Sequence, residues 1–178
     1  MADTPPLFDP PVLLTEAHDH STFEAGEPVL DDWLRRRAWP NQQMAASRTY
    51  VTCPTGSNVI AGYFALSMGQ ILGQDITGAM RRNMSWQIPA VTLGRLAIDR
   101  KWQGRGLGAA LLADVVRRAL RASSEVVARL VIVHAISTAA EAFYLHHGFS
   151  RLPVETPTLA LDLLKLRKVG DMGGEFDA

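Results

Sequence analysis

The stretch "WQGRGLG", residues 102–108, sets three glycines directly before a long apolar run, "AALLADVVRRAL". A glycine in a helix costs roughly 0.5–1 kcal/mol relative to alanine. That much backbone freedom beside a strong helix former calls for a use. One use is physical: the first amides of a helix lack internal partners, point outward and favour an anion. Glycines then let the backbone approach that anion without a clashing Cβ. The plain alternative is a strand–helix turn that is merely rich in glycine.

Spacing separates the known phosphate-binding loops. A Walker A loop carries a Lys–Ser/Thr pair after its glycines, and none follows here. Gly104-x-Gly106-x-x-Ala109 formally matches a dinucleotide-binding fingerprint, but that fingerprint opens directly from a strand in the first βαβ unit. Here the polar pentad "DRKWQ" intervenes, and the unit sits in mid-chain behind antiparallel strands.

On either side of the loop, "AVTLGRLAI" (90–98) predicts a strand and "LGAALLADVVRRALRA" (107–122) a helix. "ARLVIVHA" (128–135) predicts a buried strand, and "TAAEAFYLHHG" (138–148) a short helix with Gly148 as its C′ residue. "TLALDLLKL" (158–166) alternates and closes a sheet. Upstream, "VLLTEA" (12–17) reads as a first strand. "EPVLDDWLRRRA" (27–38) carries Leu30, Trp33, Leu34 and Ala38 on one helix face, with Pro40 expected to end or kink that helix. "SRTYVTC" and "NVIAGYFALSMGQI" flank "PTGS" as an antiparallel hairpin, and residues 73–89 read as an irregular loop with room for one helical turn. A strand–helix–strand crossover set beside antiparallel strands makes an α/β (α+β) fold with a mixed central sheet, its crossover right-handed.

The 178 residues are most simply one domain, 1–168, followed by a Gly-rich acidic tail, 169–178, expected to be disordered. Lys plus Arg (18) equals Asp plus Glu (18), so attraction to a polyanion must come from local clustering. Cys53 is the only cysteine, which excludes an internal disulfide and suits a reducing cytoplasm. "MADTPPLFDPPVLL" has no basic n-region and is broken by prolines, so no signal peptide is expected. No apolar stretch approaches the roughly 18–20 residues of a membrane span. His18-x-His20 and His146-His147 lack partners at metal-ligand spacing, so no metal is expected.

Gln103-x-x-Gly106-x-Gly108 resembles the acetyl-coenzyme A loop of the GNAT superfamily of N-acetyltransferases, Gln/Arg-x-x-Gly-x-Gly/Ala. The strand "GRLAI" before it, the crossover helix, the strand "LVIVHA" and the closing "AEAFYLHHGF" follow in the order of that superfamily, from about residue 12 to 166. The resemblance implies the GNAT fold, with two parallel strands splayed and helices on the flanks. It also implies acetyl-CoA as donor, held by Gln103, Gly104, Arg105, Gly106, Leu107, Gly108 and Ala109, with main chain of Leu96, Ala97 and Ile98 along the pantetheine arm. Tyr144, ahead of Gly148-Phe149, matches the superfamily's tyrosine, which implies a general acid for the leaving thiolate. A main-chain amide near Ile98 would steady the oxyanion. His134 has a suitable reference pKa for a base, although a histidine at a strand end also serves as a structural residue. Glu141 is expected to be a solvated helix-surface residue.

For the acceptor, Phe23…Gly26, Leu30-Asp31-Asp32-Trp33-Leu34, Asn41-Gln42, Ser47-Arg48-Thr49 and Leu93-Gly94-Arg95-Leu96-Ala97 resemble one subgroup. These are the GNAT toxins of bacterial type II toxin–antitoxin pairs, whose relatives acetylate the amino acid on aminoacyl-tRNA. Ala25 stands where a Cys is expected, and Pro40 interrupts a helix expected to continue. The resemblance implies an aminoacyl-tRNA substrate, a small antitoxin of ribbon-helix-helix type, a homodimer, DNA only through the antitoxin, and a cytoplasmic location. Arg35, Arg36 and Arg37, Arg48, and Arg81-Arg82 could meet tRNA phosphates, while Lys101 and Arg105 are placed to serve those of the cofactor. Two rival readings are a GNAT enzyme of a small amine or protein N-terminus, and a non-catalytic binding module in a repressor complex.

Overall fold

The computed structural model describes residues 7–76, 78–83 and 86–173. Its strands are β1 (Val12–Leu13), β2 (Arg48–Thr52), β3 (Gly62–Leu72), β4 (Gln87–Ile98), β5 (Leu130–His134), β6 (Ser150–Arg151) and β7 (Thr158–Asp162). They form a mixed sheet in the order β1-β2-β3-β4-β5-β7-β6. β1/β2, β2/β3, β5/β7 and β6/β7 are antiparallel, while β4/β5 is parallel. The helices are α1 (Pro28–Arg36), α2 (Ala38–Gln43), α3 (Leu107–Glu125), α4 (Thr138–His146) and α5 (Leu163–Gly173). The chain divides into two compact units, one up to Ser67 with Gly94–Val115, the other Met68–Leu93 with the chain from Val116. β3, β4 and α3 each contribute residues to both.

In the first unit, α1 buries Leu30 and Leu34, and Ala38 follows on the same face, matching the predicted stripe. They pack with Phe23, Val51 and Tyr63. Trp33 stacks on Tyr63 at 5.9 Å, and the Tyr63 hydroxyl donates to Leu30 O at 2.8 Å. The predicted single helix is two: the break falls at Arg37, and Pro40 lies in the first turn of α2. A proline ring clashes with the carbonyl four residues earlier, here Arg36, so α1 ends there. The β2/β3 hairpin is present but its connection is longer than "PTGS". Residues 58–60 are drawn away by Asp19, whose N–H donates to Asn58 O and whose carbonyl accepts from Ile60 N–H.

In the second unit, Ile76, Ile88, Ala90, Leu130, Ile132, Leu152 and Ala160 form the core. The segment expected to be irregular over 73–89 contains 3₁₀ turns at Gly73–Asp75 and Gly78–Met80, and β4 begins at Gln87; residues 77, 84 and 85 lie outside the described residues. The predicted strand 158–166 is corrected: it stops at Asp162, and α5 starts at Leu163. Asp162 Oδ1 accepts from the N–H groups of Leu164 and Lys165, which caps the helix. Residues 169–173, at the start of the tail, continue α5 to Gly173; residues 174–178 lie outside the described residues.

Candidate active site

The glycine loop belongs to the first unit and is set up by the residues before it. β4 ends at Ile98, and buried Asp99 caps the 3₁₀ turn Arg100–Trp102 by accepting from Lys101 N–H at 2.9 Å. Gln103 then turns its amide into the protein, donating to Ile98 O at 2.9 Å and to Ala25 O at 2.8 Å. Gly104 and Gly106 have φ of +72° and +80°, with nothing within 4 Å of where a Cβ would stand. The glycines are therefore required by backbone conformation rather than by crowding. Ala110 N–H makes a helical bond to Gly106 O at 3.1 Å. The amides of Leu107, Gly108 and Ala109 precede it, outside the helical ladder. They carry the positive end of a helix of 19 residues. Leu107 is buried and fixes the first turn, while Arg105 lies over the Trp102 ring at 5.1 Å. Lys101 is exposed. Unpaired amides at the positive end of a helix suit an anion.

Upstream of the loop, the parallel ladder pairs Ala90–Leu93 with Leu130–Val133, and β4 runs on to Ile98. Ala97 points into the core of its unit, and Leu96 and Ile98 are half-buried. A ligand lying along these residues would meet main chain. The Ile98 carbonyl, however, is already taken by Gln103.

Tyr144 belongs to the second unit. Ser137 Oγ caps α4 by accepting from Ala140 N–H, and Gly148, at φ +90°, leads out of the helix as predicted. Phe149 N–H returns to Tyr144 O at 3.1 Å. The Tyr144 ring is buried between Phe143 and Phe149, with centroids at 5.3 and 5.4 Å. Burial pushes its phenol well above the usual tyrosine value. His134 is exposed, and its Nδ1 is 2.9 Å from Thr158 Oγ1. Glu141 is not the solvated residue expected: it accepts from Arg151 at 2.9 Å and its side chain is only 18% exposed. His147 Nδ1 lies 2.7 Å from Phe143 O. Among the described residues, no three His, Cys, Asp or Glu side chains gather as metal ligands do.

The arginines divide. Arg36, Arg37 and Arg48 are exposed in the first unit, and Arg81 and Arg82 in the second. Arg35 differs: its guanidinium donates to Phe23 O and stands 4.0 Å from Asp32. Its hydrogen-bonding capacity is partly spent within the chain. Motif spacing gives no role to Asp31 or Asp99, yet both are buried carboxylates bonded to backbone amides. Only the Leu30-Asp31-Asp32-Trp33-Leu34 signature, and the Asp ahead of the glycines, could have signalled them.

The order of elements, with the glycine loop between the fourth strand and the third helix, is that of an acetyltransferase of the GNAT class. The chain belongs to the GNAT acetyltransferase family, whose domain matches residues 60–151. It is 40% identical over 165 residues to the tRNA-acetylating toxin of Mycobacterium tuberculosis, covering 92% of this chain and 98% of that protein. AtaT complexed with acetyl-methionyl-tRNAfMet superposes with a TM-score of 0.85 at 27% identity, covering 91% of this chain and 98% of AtaT. An AtaT variant bound to the C-terminus of the antitoxin AtaR and acetyl-CoA superposes with a TM-score of 0.78 at 27% identity, covering 92% and 98%.

Proposed function

We propose that this chain is the toxin of a toxin–antitoxin pair, which moves acetyl from acetyl-CoA to the α-amine of the amino acid on aminoacyl-tRNA and so stops translation. The observation that carries this reading is the 40% identity spanning nearly the whole tRNA-acetylating toxin. The intact glycine loop supports it. Acetyl-CoA is the co-substrate: the amides of Gly104 to Ala109 and the Arg105 and Lys101 side chains face its phosphates, and main chain of Leu96–Ile98 lies along its amide-bearing arm. The amine nitrogen attacks the thioester carbonyl, forming the C–N bond as the C–S bond breaks. Tyr144 gives its proton to the leaving sulfur and takes one back from solvent, to which the amine proton is released. An amine beside an ester carbonyl titrates below the ~7.7–8.0 of a free α-amine, so no strong protein base is needed. His134, bonded to Thr158, is a structural residue in this reading.

The two units together make one acetyltransferase domain, a reading supported by the three elements they share. Arg36, Arg37, Arg48, Arg81 and Arg82 meet tRNA phosphates. The partner is a small antitoxin, as the AtaR-bound relative suggests; we assign it the ribbon-helix-helix class, contact with DNA through it, and a homodimeric toxin. An aminoacyl-tRNA substrate implies the cytoplasm, and no helix of the described residues is long and apolar enough to cross a membrane. In a reconstituted translation reaction, the protein with acetyl-CoA should halt peptide synthesis, and omitting acetyl-CoA should restore it. Undiminished synthesis with both present would refute the reading.

A further inference from the structure

Nearly every polar backbone group from Phe23 to Ala25 is engaged, and from two directions. From α1, Arg35 donates to Phe23 O and Asp31 Oδ1 accepts from Ala25 N–H at 2.8 Å. From the segment leading into the glycine loop, Asp99 Oδ2 accepts from Glu24 N–H at 3.0 Å, Arg100 N–H donates to Glu24 O at 2.8 Å, and Gln103 donates to Ala25 O at 2.8 Å. The Arg100 and Glu24 side chains pair at 3.1 Å over the same place. Gly26 ends the segment at φ +94°, and a Cβ there would meet Arg100 Nε at 2.9 Å. Asp31 is 6% and Asp99 5% exposed, so both carboxylates make their bonds away from water, where such a bond is costly to leave unmade.

We infer that Phe23–Gly26 is a strut through which α1 holds the acyl-donor loop in shape, with Asp31, Arg35 and Gln103 as positioning residues. The inference rests on the reading that this loop binds acetyl-CoA. It makes Asp31, on a helix remote in sequence from the glycines, a determinant of donor affinity. It also moves Arg35 from the tRNA surface to the donor side. Gln103 in turn acts through Ala25 O and Ile98 O, not by touching the ligand.

Calorimetry with acetyl-CoA tests this. Asp31→Ala and Gln103→Leu should each raise Kd about threefold to tenfold, the range expected when one or two hydrogen bonds behind the loop are removed. The Michaelis constant for acetyl-CoA should rise in step, with kcat at saturation nearly unchanged. Asp31→Asn keeps an oxygen for Ala25 N–H and should recover most of the affinity. The double variant should lose less than the product of the single losses, because both act on one segment. Arg35→Leu should weaken acetyl-CoA while leaving the salt dependence of tRNA binding as it was. In the wild-type protein, acetyl-CoA should slow amide exchange at Glu24 and Ala25, a readout that does not depend on any variant folding. Folded variants with wild-type affinity, or unchanged exchange at Glu24 and Ala25, would overturn the strut. Absence of acetyl-CoA binding by the wild-type protein would instead overturn the functional reading beneath it.

Discussion

The proposed general acid, Tyr144, rests the chemistry on one side chain. Its burial favours the neutral phenol, so the proton it would donate is held across the physiological range. Tyr144→Phe should cut turnover at least tenfold, the lower part of what general acid catalysis contributes, with acetyl-CoA affinity nearly intact. Steady-state rates beside calorimetric titration separate the two effects; an unchanged rate would remove Tyr144 from the mechanism. The pH dependence carries a sign. A general acid works protonated, and a raised pKa moves the loss of activity from phenol ionisation above the usual ~10. The rate should therefore climb as the acceptor amine deprotonates and show no alkaline fall below about pH 10. At Gly106 the demand is conformational. Gly106→Ala forces an L side chain into the left-handed region at roughly 1–2 kcal/mol, so acetyl-CoA affinity should drop by about tenfold without a large cavity or clash to repair.

Elements join in this chain where carboxylates meet backbone amides. The start of α5 is the clearest case. Asp162 takes both arms of Arg129, at 2.9 and 2.8 Å, while its Oδ1 also caps the helix. Arg129 ties the same point to β4 through its N–H on Pro89 O, and to α5 through its carbonyl on Leu163 N–H. Burial raises the Asp162 carboxyl, but the Arg129 hydrogen bond and charge and the two helix amides outweigh it and hold the pKa below the ordinary value. The folded state thus binds fewer protons than the unfolded chain near pH ~4, so this stabilisation is present above the unfolded pKa and is lost as pH falls through the folded one. Asp162→Ala should cost about 2 kcal/mol, as removing a hydrogen-bond acceptor from a charged partner does, and should flatten the acid limb of a thermal-melting series; an unaltered limb would contradict it.

This junction also marks how far the sequence could be read. Periodicity located α1 and α3, each with a face to bury, while β5 showed as a continuous apolar run and α4 by its Gly148 stop. It carried "TLALDLLKL" through as one strand, since Leu161, Leu163, Leu164 and Leu166 satisfy either period and only the Asp162 cap ends the strand. The two-residue strand β6 leaves no periodic signal, and β1, expected over 12–17, is only Val12–Leu13. Within the candidate site, the glycine loop stands out from its spacing, and Tyr144 is proposed from the family resemblance alone. Asp31, Asp99 and the inward turn of Gln103 were not legible, because their partners are backbone atoms, which for the latter two lie 75 and 78 residues away in sequence.

At the scale of the whole molecule, a chain with equal numbers of acidic and basic residues must recruit a polyanion locally. Arg81 and Arg82 stand exposed in one unit and Arg36, Arg37 and Arg48 in the other, so each group can be tested alone. Replacing Arg81 and Arg82 with Glu should weaken tRNA binding without touching acetyl-CoA. It should also shallow the log–log salt dependence by about 0.7–0.9 for each phosphate that is no longer neutralised. A slope equal to that of the wild-type protein would discard this patch. The antitoxin reading belongs here as well: a small protein that covers the glycine loop or the arginines would silence the enzyme by occlusion, and complementary charge would speed its capture.

The decisive experiment is mass spectrometry of the amino acid released from charged tRNA after incubation with the protein and acetyl-CoA. The expected product is heavier by one acetyl group in place of an amine hydrogen, and forms only when acetyl-CoA is present. Charged tRNA recovered with its amino acid unmodified would contradict acetyl transfer to aminoacyl-tRNA.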